Sequence, residues 1–223
     1  MTQAQWIKRV VKPLAFVASL GPFAWLVRDI VTGNLGANPV ERITHFTGLT
    51  ALTFLMITLS ITPARKLLGL SPLIQLRRML GLYAFFYAVL HFTIYGLDRT
   101  LFEGTGLSLG SIIEDVAKRP YITVGFTAFL ILVALAATST NGMVKRLGGK
   151  RWQRLHQLVY VAAALGVLHF LWLVKADIRQ PATYGLVLVG LLGARLVRER
   201  RRRATPSAAL APPVRSGVAV GSS

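Results

Sequence analysis

The sequence predicts an all-α fold: an integral membrane bundle of six helices with both termini cytoplasmic. Three observations carry this. The 223 residues are 53% hydrophobic and only 15% charged, with mean hydropathy +0.55; a soluble domain is about a quarter charged. Six apolar segments approach the ~20 residues that a spanning helix needs. The basic residues gather at alternate ends of those segments, as the positive-inside rule requires for an even number of spans.

The segments run over 10–32, 44–62, 79–97, 120–138, 154–174 and 182–197. Gly33 to Pro39 is a turn-forming stretch after the first, and Thr62-Pro63 ends the second. Gly104 to Gly110 lies in the loop after the third, and Gly148-Gly149 precedes the fifth. The sixth is short and can be extended by snorkelling arginines. Lys8, Arg9 and Lys12, then Arg65, Lys66, Arg77 and Arg78, then Lys145 to Arg154, and finally Arg195 to Arg203 mark the cytoplasmic side. Asp29, Glu41, Asp98, Glu103, Glu114, Asp115 and Asp177 fall on the other, with expected periplasmic loops near 33–43, 98–119 and 175–181. Trp6, Trp152 and Trp172 sit at span boundaries, as an aromatic belt does. The first segment lacks a cleavage site of small residues and is long enough to span, so it does not read as a signal peptide. Residues 1–203 form one membrane domain. Residues 204–223, rich in Ala, Pro, Ser and Gly, read as a disordered cytoplasmic tail.

The net charge of +18 is distributed along span ends rather than on one binding face, which argues for a lipid bilayer and against nucleic acid. Cysteine is absent, which excludes disulfides, cysteine-ligated iron–sulfur clusters and covalent c-type heme. There is no P-loop, no H-E-x-x-H and no dinucleotide fingerprint, and Gly104, Gly106 and Gly110 have the wrong spacing for one. Electrons could enter only from a lipid quinol or another protein.

Four histidines remain, and polar groups at membrane depth are costly unless they serve a purpose. His91 and His169 lie at matched depth on segments that run the same way, as a membrane-buried heme requires. Gly81, Ala84, Ala88 and His91 share one helical face. This face fits either close approach of a flat macrocycle or small-residue helix packing. His156 lies 13 residues before His169, a rise of roughly 20 Å, which suits two stacked cofactors. On an ideal helix the two side chains point roughly 140° apart, so both can face cofactors only if the helix is surrounded by protein or distorted. Opposite His156, at the matching depth of the third segment, stand Arg77 and Arg78. These fit either anchoring of the span or pairing with heme propionates or a cofactor phosphate. His45, at the outer start of the second segment, is open to three roles: ligation, donation to a propionate, or binding of a quinone carbonyl. An interfacial histidine without a cofactor is the alternative for both His45 and His156.

Several strings occur in order at consistent spacing: Leu35 to Val40, His45 to Gly48, Arg77 to Leu82, Leu90-His91, Thr138 to Thr140, Trp152 to Tyr160 and His169 to Lys175. Through these the chain, over about residues 10–195, resembles the heme-binding membrane subunits of bacterial periplasmic methionine-sulfoxide reductase systems, within the ferric-reductase-like transmembrane superfamily. The resemblance implies a six-helix cytochrome b of the bacterial inner membrane. It implies heme b held by His91, His169 and His156, and FMN as a second cofactor. It also implies a separate periplasmic molybdopterin methionine-sulfoxide reductase as partner and the respiratory quinone pool as electron source. The chain itself would then be an electron-transfer subunit, unable to reduce methionine sulfoxide alone. Relative to the wider superfamily, the Arg77-Arg78 region replaces one inner-side histidine. Two other readings stand beside this one. One is a quinol-oxidising or ferric-reductase-like subunit of a different periplasmic oxidoreductase. The other is a non-redox membrane protein, although no acidic residue lies mid-span as a transporter would be expected to show.

Overall fold

The computed structural model describes residues 2–101, 109–174 and 177–204, and these contain helices and no strand. In chain order the helices are α1 (Gln3–Trp6), α2 (Lys12–Val31), α3 (Pro39–Leu67), α4 (Leu76–Leu101), α5 (Leu109–Lys118), α6 (Pro120–Ala137), α7 (Asn141–Leu147), α8 (Gly149–His156), α9 (Leu158–Leu173) and α10 (Arg179–Ala204). Among the described residues six stretches are long and apolar enough to cross a membrane: Gln3–Val31, Pro39–Leu67, Ser71–Asp98, Pro120–Ala137, Gly149–Leu173 and Arg179–Val197. The fold is therefore an all-helical, multi-pass membrane bundle.

Most helices outrun the apolar segments that announce them. Hydropathy marks only the stretch that meets hydrocarbon, whereas the helix continues until a cap or a breaker stops it. α3 begins at Pro39, whose missing N–H costs nothing in the first turn. The Asn38 side chain caps it by accepting from the Glu41 N–H at 3.3 Å. At the other end α3 carries Arg65 and Lys66 in its last turn and is followed by Gly69 at φ +66°. α10 runs on through the arginines after Val197, since arginine is a good helix former. Ala204 closes α10; the rest of the expected tail lies outside the described residues.

α3 is the central helix, with Ala51, Leu52, Leu55, Met56 and Leu59 buried along it. It packs mainly on α4, while α6 packs on α9. Ala84 of α4 is fully buried, and a methyl at Gly81 would rest 3.7 Å from Thr58 of α3. Ala84 thus serves helix packing, Gly81 also borders the larger of the two cavities described below, and Ala88 and His91 border the smaller.

α2 is clamped by two tyrosines of α4. Pro22 removes a backbone donor from α2 and pushes its turn open. The Tyr87 hydroxyl enters there, accepting from the Phe23 N–H at 3.1 Å and donating to the Ser19 carbonyl at 2.7 Å. Tyr83 donates to the Phe16 carbonyl at 3.0 Å. In lipid such internal partners are the available means of satisfying backbone groups near a proline. Thr53 and Tyr184, 2.7 Å apart, tie α3 to α10 in the same way.

Two features depart from the sequence expectation. The loop after the third span contains a helix, α5, and of the expected glycine-rich stretch residues 102–108 lie outside the described residues. Lys118 donates to Glu114 one turn away on α5 and holds that carboxyl below the usual carboxylate range. The fifth span is also interrupted. Gln157 separates α8 from α9, and its N–H is shared between the Gln153 and Arg154 carbonyls at 3.1 Å each. The Tyr160 N–H then returns to the Gln157 carbonyl at 3.0 Å, a tightened 3₁₀-type turn. This local distortion falls between His156 and His169.

Candidate functional site

Among the described residues two cavities stand out, both bordered by Leu55 and Leu132. The first, of about 300 Å³, is almost wholly apolar and brings together His91 of α4 and His169 of α9, with His45 at its rim. The imidazoles of His91 and His169 face each other with centroids 6.2 Å apart and planes at 80°.

Each ring is held by one device. The His91 Nδ1–H donates to the Thr44 carbonyl at 2.8 Å, and the His169 Nδ1–H donates to the Tyr121 carbonyl at 2.7 Å. A carbonyl only accepts, so the proton sits on Nδ1 and the lone pair on Nε2. Four residues beyond each carbonyl is a glycine: Gly48 after Thr44, and Gly125 after Tyr121. A Cβ at Gly48 would lie 2.9 Å from the His91 ring, and one at Gly125 would lie 2.7 Å from His169 Nδ1. The missing side chains let the rings lie against the backbones of α3 and α6 and reach carbonyls that already serve their own helices. A backbone-bonded Nδ1 with an available Nε2 is how metal-ligating histidines are usually oriented.

These residues fit an iron macrocycle. Two metal–nitrogen bonds of about 2 Å each, added to the reach of two imidazole rings, would separate the centroids of two histidines sharing one metal by roughly 6 Å. Among the described residues, no cluster of three or more metal-binding side chains offers an alternative polyhedral metal cage. His45 is exposed and meets Phe170 edge-on at 5.7 Å, so it borders the cavity without joining the facing pair.

The second cavity, about 720 Å³, is more polar than the first and carries cations, with Lys66, Arg77, Arg78 and Arg195 on its walls beside His156. Trp152 stacks on His156 at 3.8 Å between centroids and donates its Nε1–H to the Thr138 carbonyl at 2.8 Å. His156 Nδ1 lies 3.2 Å from the Trp152 carbonyl, and Nε2 lies 3.4 Å from Ser139 Oγ. Arg78 donates to Asn141 at 2.7 Å, and the Arg195 guanidinium lies over the Tyr160 ring at 4.2 Å. Thr62, also on the wall, has a buried hydroxyl with no hydrogen-bond partner in the protein. No histidine faces His156 here. The cavity offers an anion several cations, and a flat ring an aromatic neighbour.

Sequence reasoning did not find Thr44, Gly48, Tyr121, Gly125 or the Trp152–His156 stack as site elements. The available signal was a glycine four residues after the carbonyl, Gly48 on α3 and Gly125 on α6.

Fold and cavities together define a multi-pass helical membrane protein with a facing histidine pair near one end and a cationic chamber near the other. Residues 16–167 match the family described as "Ferric reductase like transmembrane component". Among curated proteins, the "Protein-methionine-sulfoxide reductase heme-binding subunit MsrQ" of Herminiimonas arsenicoxydans is 53% identical over 185 residues, covering 82% of this chain and 83% of the relative. The protein of the same name from Xanthomonas campestris is 52% identical over 201 residues, covering 90% and 89%. That of Rhodospirillum rubrum is 50% identical over 196 residues, covering 87% and 91%. The chain belongs to the ferric-reductase-like transmembrane family and, within it, to the MsrQ heme-binding subunits.

Proposed function

We propose that this chain is a b-type cytochrome of the bacterial inner membrane that carries electrons from the respiratory quinone pool to a periplasmic molybdopterin methionine-sulfoxide reductase, supporting repair of oxidised periplasmic proteins. The facing of His91 and His169, each with Nδ1 tied to a backbone carbonyl, is the observation that carries the reading. Those two residues would ligate heme b, held without covalent attachment because the chain has no cysteine. Bound there, heme supplies reversible one-electron chemistry. The apolar walls from α3, α4, α6 and α9 keep water from the site, and the carbonyls of Thr44 and Tyr121 keep both rings in one tautomer.

Arg77, Arg78 and His156 would form the binding wall for FMN, whose phosphate suits the arginines and whose flat ring suits the Trp152–His156 stack. His45, at the rim of the apolar cavity, would support the heme or receive the quinone carbonyl. Both termini would be cytoplasmic, so the cationic chamber faces the cytoplasm and the His91–His169 cavity the periplasm.

The test is stopped-flow reoxidation of the reduced cytochrome by a molybdopterin methionine-sulfoxide reductase and methionine sulfoxide, each omitted in turn. Reoxidation only in the complete mixture supports the assignment. Unchanged kinetics reject the partner, and a purified chain without a reduced α-band rejects the cytochrome reading.

A further inference from the structure

The His91–His169 cavity has a single lysine or arginine among the described residues that line it, Arg119. Heme b carries two propionates, and the other walls of this cavity offer them almost no charge. Arg119 is the N-cap of α6, with extended backbone before Pro120. Its carbonyl accepts from the Thr123 N–H at 3.1 Å, and its own N–H donates to the Asp115 carbonyl at 3.0 Å. The guanidinium is aimed by the same neighbours. Nε lies 3.2 Å from Asp115 Oδ1, and Nη1 donates to the Tyr121 hydroxyl at 3.3 Å. Asp115 is buried and accepts from the hydroxyl of Tyr95, which lies one turn beyond His91 on α4. Arginine has five N–H donors in a planar fork, so these two contacts leave donors for a further acceptor. About half the side chain is exposed, enough for a charged group at the cavity mouth to reach it. Two residues later, the Tyr121 carbonyl holds His169. One short segment therefore carries both the orienting group for a ligand and a cation.

We propose that Arg119 is the propionate anchor of this cavity, with Asp115, braced by Tyr95, as the positioning residue that aims the guanidinium and offsets part of its charge. The proposal rests on the heme reading of the His91–His169 pair. A cation beside a propionate stabilises the reduced heme, which carries one positive charge fewer. Arg119→Met therefore lowers the midpoint potential and speeds transfer of heme to an apo-globin acceptor by roughly tenfold, the ordinary effect of losing a charged hydrogen bond. Arg119→Lys restores part of both. Asp115→Asn removes the offsetting carboxylate, retains the heme and shifts the potential the opposite way, upward.

The experiment is redox titration and heme transfer on the purified full chain and these variants, repeated after reconstitution with the dimethyl ester of heme, which has no carboxylates. With the ester, the difference in heme transfer between wild type and Arg119→Met disappears, while the effect of the guanidinium charge on the potential persists. A structural latch alone would admit water in both variants, shifting both potentials the same way and leaving the difference in heme transfer intact with the ester; that result, or no shift in either variant, overturns the proposal. Wild-type protein that binds no heme overturns the cytochrome reading, whereas wild-type heme with unmoved variants overturns only the anchor.

Discussion

Gly125→Ala adds one methyl group to the seat of His169. Its Cβ would lie 2.7 Å from Nδ1, 2.9 Å from Cε1 and 3.0 Å from Cγ of that ring. The ring cannot stay, and moving it strains or breaks the 2.7 Å bond to the Tyr121 carbonyl. Overpacking of this kind costs about 1–3 kcal/mol, and a lost hydrogen bond about 1 kcal/mol. A net loss of about 2 kcal/mol corresponds to roughly thirtyfold in heme affinity. The same substitution improves helix propensity by about 1 kcal/mol in water, so α6 itself should not suffer. Gly190→Ala is the control, since a Cβ there meets nothing within 4 Å. The assay is Soret absorbance per purified protein during transfer of heme to an apo-globin. Gly125→Ala should lose heme about thirtyfold faster relative to rebinding, with Gly190→Ala like wild type. Heme retention by Gly125→Ala equal to wild type, or equal loss in the control, would refute the seating argument.

Other substitutions probe the remaining contacts. His91→Ala or His169→Ala should abolish most of the dithionite-reducible Soret signal while the protein stays in the membrane fraction; full heme in both variants would remove the ligand assignment. Tyr87→Phe leaves the Phe23 N–H and Ser19 carbonyl of α2 without their shared hydroxyl, and should lower stability by about 1–3 kcal/mol, read as a lower melting temperature with heme content intact. Replacing Arg77 and Arg78 together with Gln should weaken FMN binding at least tenfold, measured by flavin fluorescence, and leave the heme spectrum unchanged. A reporter active only in the periplasm, fused after Leu196, should be silent; activity there would contradict the orientation.

The sequence by itself determined the class of the protein, because a bilayer acts on local composition. Some twenty consecutive apolar residues must become a helix there, whatever lies elsewhere in the chain. That logic located all six spans, although only caps and breakers such as Asn38 and Gly69 set their true ends. The depths of His91 and His169 could likewise be counted along their own segments. Tertiary structure alone decided what those histidines meet. The Thr44 and Tyr121 carbonyls lie 47 and 48 residues away from their imidazole partners, and nothing local to a histidine names its acceptor. The glycine seats depend on contact between helices, as does the Tyr87 hydroxyl that enters the turn at Pro22. The tight turn at Gln157 separates α8 from α9, and which chamber each of His156 and His169 borders follows from the helices packed around them. Arg119 reads in sequence as one more loop cation; its place on the cavity wall follows from the fold of α5 against α6, a packing that hydropathy does not encode.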